Sequence, residues 1–96
     1  MDFGATLLAV YLELAACAGL SNPKPPPTIV IQRGEWVRCP DVTPDGKCSG
    51  LHRGHRILVT YGTTDALRHE LLHDVLCQLG DCDPRHQRPE WTRCMP

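Results

Sequence analysis

Aromatic residues are scarce in this chain: one Phe, two Trp and two Tyr among 96 residues, or 5%. Any core must therefore be aliphatic and thin. Charge of a single sign is missing too, with 10 Lys and Arg against 11 Asp and Glu. That balance argues against a nucleic-acid binder, which would show a basic excess or stripe. There is no internal repeat and no C-x-x-C pair. The absence of C-x-x-C counts against a cysteine zinc knuckle. Only one long apolar run exists, residues 5–20, and Glu13 interrupts it. It is too short and too flawed for a membrane span of roughly 20 apolar residues.

What is abundant is punctuation and sulfur. Nine Pro and eight Gly leave room for few long regular elements, and six Cys in so short a chain point to an oxidising compartment or a metal site. A single domain of this size usually needs such staples, because its core buries too little surface.

The run ending Leu14-Ala15-Ala16-Cys17 has the length of the apolar region of an export signal. It resembles the lipobox of bacterial lipoproteins, which implies lipidation of Cys17 and a place at the cell envelope with the membrane as partner. The expected organisation is a signal over residues 1–17, a Pro-rich linker over 18–28 and a folded unit over 29–96. The alternatives are a plain secretory signal and an N-terminal helix that packs on the domain. With Cys17 lipidated, Cys39, Cys48, Cys77, Cys82 and Cys94 remain, an odd number that leaves one thiol unpaired. Cys77 with Cys82 would staple the end of a helix. Cys39 could pair with Cys48 or with Cys94, and the sequence does not choose.

Within the folded unit, Ile29-Val30-Ile31 and Arg56 to Tyr61 read as strands, and Glu35 to Arg38 as a shorter one. Residues 39–50 are turn chemistry. Thr63 and Thr64 offer hydroxyl caps, and Asp65 to Leu79 then makes one helix that stops at Gly80. On a helical wheel Leu71, Leu72, Val75, Leu76 and Leu79 form the core face. The expected fold class is α+β: a small minidomain with a few short antiparallel strands packed on this helix, and an irregular disulfide-stapled tail.

The chemistry lies on that helix. His69-Glu70-Leu71-Leu72-His73 is an H-E-x-x-H sequence. Residues four apart stand one above the other, so both imidazoles can meet one zinc ion at about 2.0–2.1 Å. Glu70 points about 100° round from His69, towards a water rather than the metal. A hydrolytic zinc needs a third protein ligand and an open position. His86 is the best candidate, because residues 80–84 can turn the chain back after the helix. Glu90, Asp81 and Asp83 are rivals. The metzincin pattern fails, with Leu76 where its Gly belongs and Leu79 where its third His belongs. His52 and His55 could hydrogen-bond an oxyanion but read better as exposed loop residues. Tyr61 could offer a phenol but reads better as strand packing, and Trp91 as a core or cleft-wall aromatic.

Residues 67–74, followed by Asp81, Asp83 and His86 and then Pro89-x-Trp91-x-x-Cys94, resemble small zincin-type metallopeptidases of bacterial envelopes. Ser49-Gly50-Leu51 with Ile57 resembles the strand region before their helix. The resemblance spans roughly residues 49–94. It implies a zinc-dependent peptidase acting on a peptide or protein, with His69, His73 and His86 as ligands and Glu70 as base. Two other readings stand beside it: a non-catalytic envelope protein whose zinc only stabilises the fold, and a disulfide-stapled interaction module without metal.

Overall fold

A computed structural model describes residues 3–60 and 64–95. The chain is a small α+β protein with three helices and a few short strands among these residues. Helix α1 spans Phe3–Ala18. Strands β1 (Thr28–Gln32), β2 (Val37–Arg38), β3 (Lys47–Cys48), β4 (Gly50–Arg53) and β5 (Arg56–Thr60) follow. Helix α2 (Thr64–Gln78) and a single turn, α3 (Glu90–Arg93), complete it.

The main sheet has the order β1-β5-β4. β5 pairs antiparallel with β4 across the tight Gly54-His55 turn, with Leu51 opposite Leu58. It pairs parallel with β1, Ile29 opposite Ile57. The expected all-antiparallel arrangement is thus corrected to a mixed sheet. The reason is connectivity: β1 reaches β5 through a long excursion containing the β2–β3 ribbon and β4, and such a crossover permits parallel pairing. As the middle strand, β5 is buried at Ile57, Val59 and Thr60.

Helix α2 covers the sheet with Leu71 and Val75, which join Ile57 and Val59 in the core; Leu72 and Leu76 are fully buried as well. Leu79, expected on the same face, lies past the helix end and is exposed. The helix stops where expected. Gly80 has φ +100°, a left-handed conformation costly for a residue with a Cβ. Its N–H bonds the Cys77 carbonyl at 3.0 Å, and the Asp81 N–H bonds the Leu76 carbonyl at 3.0 Å. These are the two bonds of a Schellman termination.

The N-terminal run departs most from expectation. It forms α1, packed on α2, and Tyr11, Leu14 and Ala15 are buried in the core with Leu7, Val10 and Ala18 against them. Those positions recur every three to four residues, as on one face of a helix. Cys17 is bonded to Cys94, at a Cα separation of 5.8 Å. A sulfur in that bond cannot also carry a thioether, so the expectation of a lipidated Cys17 and a leftover thiol is replaced by three disulfides: Cys17–Cys94, Cys39–Cys48 and Cys77–Cys82. Cys77–Cys82 is as expected, Cys39 takes Cys48 of its two candidates, and no described cysteine is free. Three disulfides are consistent with an oxidising, exported environment. No helix among the described residues is long and apolar enough to cross a membrane.

The Pro-rich segment is also strapped down. Tyr11 donates to the Lys24 carbonyl at 2.8 Å, and the Lys24 N–H donates to Gln78 Oε1 at 2.9 Å.

Candidate metal centre

His69 and His73 sit one turn apart on α2, and the chain after the helix folds back to bring His86 to them. Each joint of that return has a visible cause. The Cys77–Cys82 disulfide ties the turn to the last turn of α2. Asp81 Oδ1 accepts the Asp83 N–H at 3.0 Å, and the Asp83 carbonyl accepts the His86 N–H at 3.0 Å. Asp83 and His86 both adopt left-handed φ, +51° and +57°, which places the imidazole over the helix. Asp and His are among the non-glycine residues that adopt this conformation most readily.

The three imidazoles converge. His86 Nε2 lies 3.0 Å from His73 Nε2 and 3.0 Å from His69 Nε2. His73 Nδ1 meets the Cys82 carbonyl at 2.9 Å. A carbonyl only accepts, so Nδ1 carries the proton and the Nε2 lone pair of the neutral ring faces the cluster. Burial, and then the neighbouring His73 and His86, push His69 down to about 4. Burial also lowers His73, although the Cys82 carbonyl opposes it. Neutral rings are the form that ligates metals. Nitrogen donors on a tetrahedral ion at about 2.0–2.1 Å stand about 3.3 Å apart, close to the two 3.0 Å spacings from His86, and the three ligand atoms all lie within 4.8 Å of one another. The donor set therefore fits, and His69, His73 and His86 could hold a metal ion.

The rival ligands are occupied elsewhere. The Glu90 carboxylate, 5% exposed, takes Arg88 Nε and Nη2 at 3.0 Å each. Asp83 Oδ2 accepts the Arg88 N–H at 2.8 Å and Trp91 Nε1–H at 2.7 Å. Asp81 caps the turn and pairs with Arg88 at 3.6 Å.

Glu70 shares a cleft of about 610 Å³ with the three histidines, its other walls including Gly50, Leu51, His52 and Pro84. It is 7% exposed. Burial pushes its carboxyl up to about 7, against a small opposing effect of His52. Gly50 makes the room. A Cβ there would stand 3.1 Å from Glu70 Cγ, 3.3 Å from Val59 Cγ1 and 3.4 Å from the Leu58 carbonyl oxygen. A side chain there would make the Glu70 and Val59 side chains give by a few tenths of an ångström.

Comparison with protein families, curated proteins and solved structures finds no match. The functional reading therefore stands on residues and geometry.

Sequence reasoning missed a buried polar cluster beside the site. Asp74, 1% exposed, accepts from His52 Nε2 at 2.9 Å, His55 Nδ1 at 3.0 Å and Gln78 Nε2 at 2.9 Å. Burial alone would raise its pKa, but the bonds from His52, Gln78 and His55 outweigh that and leave it lowered. His52 is not an exposed loop residue: its side chain is 8% exposed and stacks on His73, ring centroids 6.4 Å apart. The available signal was Asp74 itself, a carboxylate close to the core face of α2, which a fold tolerates only with partners. Trp91, expected as a core or cleft-wall aromatic, contacts all three candidate ligands. Tyr61 lies outside the described residues.

Proposed function

We propose that this protein is a minimal zincin-like zinc peptidase that cleaves peptide bonds in exported peptides or proteins. The observation that carries the reading is the convergence of three imidazole Nε2 atoms, from His69, His73 and His86, in one cleft with a buried carboxylate, Glu70. His69, His73 and His86 would hold the zinc, which would supply Lewis-acid polarisation of a carbonyl and a lowered pKa for water. Glu70 accepts the proton of the attacking water at its carboxylate and returns it to the leaving amine nitrogen. Without metal, burial holds the Glu70 carboxyl at about 7, and a cation bound beside it would lower that value and favour the carboxylate, the form that accepts the proton. His73 is held in the ligating tautomer by the Cys82 carbonyl.

An extended substrate is best received by β4, which is both a sheet edge and a wall of the cleft. β5 has both edges paired, to β1 and to β4. The disulfides support a location outside the cytoplasm, and we place the protein at a bacterial cell envelope. A lipid anchor at Cys17 is not part of this reading, because that sulfur is bonded to Cys94.

The test is hydrolysis of a mixed fluorogenic peptide library by zinc-loaded wild type and Glu70→Gln with equal metal content. The proposal expects cleavage by wild type and a loss of roughly 10²-fold or more in the variant. Equal rates reject the mechanism. Zinc binding without any hydrolysis points instead to a metal that only stabilises the fold.

A further inference from the structure

The three candidate ligands share one further neighbour. The Trp91 ring centroid lies 4.8 Å from that of His69, 4.7 Å from His73 and 4.7 Å from His86. The imidazole centroids are themselves 4.8–4.9 Å apart, so the indole is equidistant from all three. The cleft is lined by the three imidazoles, and Trp91 is not among the residues that line it. It is not a loose neighbour. Its Nε1–H bonds Asp83 Oδ2 at 2.7 Å, and the same carboxylate oxygen takes the Arg88 N–H at 2.8 Å. Asp83 also accepts the His86 N–H through its backbone carbonyl. One residue therefore anchors both the loop that delivers His86 and the ring that supports it. The next turn, α3, is fixed in turn by the Cys17–Cys94 disulfide just after it.

We propose that Trp91, anchored by Asp83, is a positioning residue that holds the three imidazoles in their ligating orientation before the metal arrives. The proposal rests on the reading that His69, His73 and His86 bind a metal. The physical reason is preorganisation. His69 and His73 are kept apart by the helix, but His86 comes from a loop, and an unsupported loop ring would have to be ordered by the ion. Hydrogen-bonding partners that orient metal ligands from outside typically contribute 10–100-fold in affinity; Trp91 orients them by ring contact instead. Three ring contacts at 4.7–4.8 Å lie within the range of favourable aromatic pairs.

The experiment uses the full chain with its disulfides intact, and Zn²⁺ or Co²⁺ alone as the probe. Trp91→Leu removes the ring; Trp91→Phe keeps an aromatic ring without the Nε1–H. Zinc affinity is read by competition with a chromophoric chelator, and ligand geometry by the visible absorption of bound Co²⁺. The expected result is a tenfold or greater loss of zinc affinity in Trp91→Leu with an altered Co²⁺ band, and substantial recovery of both in Trp91→Phe. A merely structural role would lower thermal stability in both variants without an altered Co²⁺ band, and would overturn the proposal. Wild-type affinity and spectrum in Trp91→Leu would overturn it equally, while leaving the metal site standing. A wild type that binds neither ion rejects the site itself and the proposal with it. A second measurement does not depend on Trp91→Leu folding. In Trp36→Phe, Trp91 is the sole tryptophan; bound Co²⁺ should quench most of its emission, and Zn²⁺ should not. Unquenched emission with Co²⁺ bound would remove the indole from the site and overturn the proposal.

Discussion

Replacing Glu70 by Gln in the metal-free protein should abolish a specific pH dependence of stability. Burial raises the Glu70 carboxyl from 4.5 to about 7, so the folded state holds its proton more tightly than the unfolded chain does. For a group raised in this way, the stabilisation is complete below the unfolded value and disappears as pH rises through the folded value. The window is therefore pH 4.5 to about 7, and stability falls upward across it. A shift of this size corresponds to about 3 kcal/mol, since each pKa unit is worth about 1.4 kcal/mol. For a domain of this length, that is on the order of 10–20 °C in Tm. The assay is urea or thermal unfolding of wild type and Glu70→Gln at pH 4.5, 6, 7 and 8, without metal and with disulfides intact. The imidazoles that titrate nearby are present in both proteins and largely cancel in the difference. The two proteins should differ little in their pH response beyond pH 8, and wild type should lose about 3 kcal/mol relative to the variant between pH 4.5 and 8. Parallel stability profiles across that range would refute the claim that Glu70 is desolvated.

Two further outcomes follow from packing and covalent linkage. Gly50→Ala brings a methyl against Glu70 and Val59; it should cost about 1–3 kcal/mol and lower hydrolysis at least tenfold, with zinc still bound at one per chain, as read by denaturation and metal analysis. Replacing Cys17 and Cys94 together by Ser opens a loop with a sequence separation of 77 residues, which the chain-entropy account puts at about 4 kcal/mol; urea unfolding checks it, and an unchanged midpoint would mean that α1 is held by its Tyr11, Leu14 and Ala15 packing alone.

The parts of this molecule that sequence made readable are those fixed by local chemistry. Helix α2 carries its own evidence: leucines on one face, histidines four apart, a glycine at the end. His86 was readable because residues 80–84 can only turn, and Cys77 and Cys82 are near enough to staple that turn. What escaped depends on contacts between distant segments. In α1, apolar residues occupy every side of the helix, including the exposed Leu8 and Leu12. Nothing in the run itself marks Tyr11, Leu14 and Ala15 as the packed face, so it reads as an export signal. The parallel pairing of β1 with β5 is set by how the intervening ribbon closes, not by either strand's pattern. His52, His55 and Asp74 are spaced as ordinary polar residues, and become a cluster only when the β4–β5 hairpin lies across α2.

The central claim is that His69, His73 and His86 together bind one metal ion. The most direct measurement is titration of the metal-free, disulfide-intact protein with Zn²⁺, followed by bound-metal analysis, for wild type, Glu70→Gln, Glu90→Ala and His86→Ala. The account predicts one zinc per chain in the first three and a steep loss of affinity in His86→Ala. Wild-type affinity in His86→Ala, or no zinc bound by wild type, would contradict it.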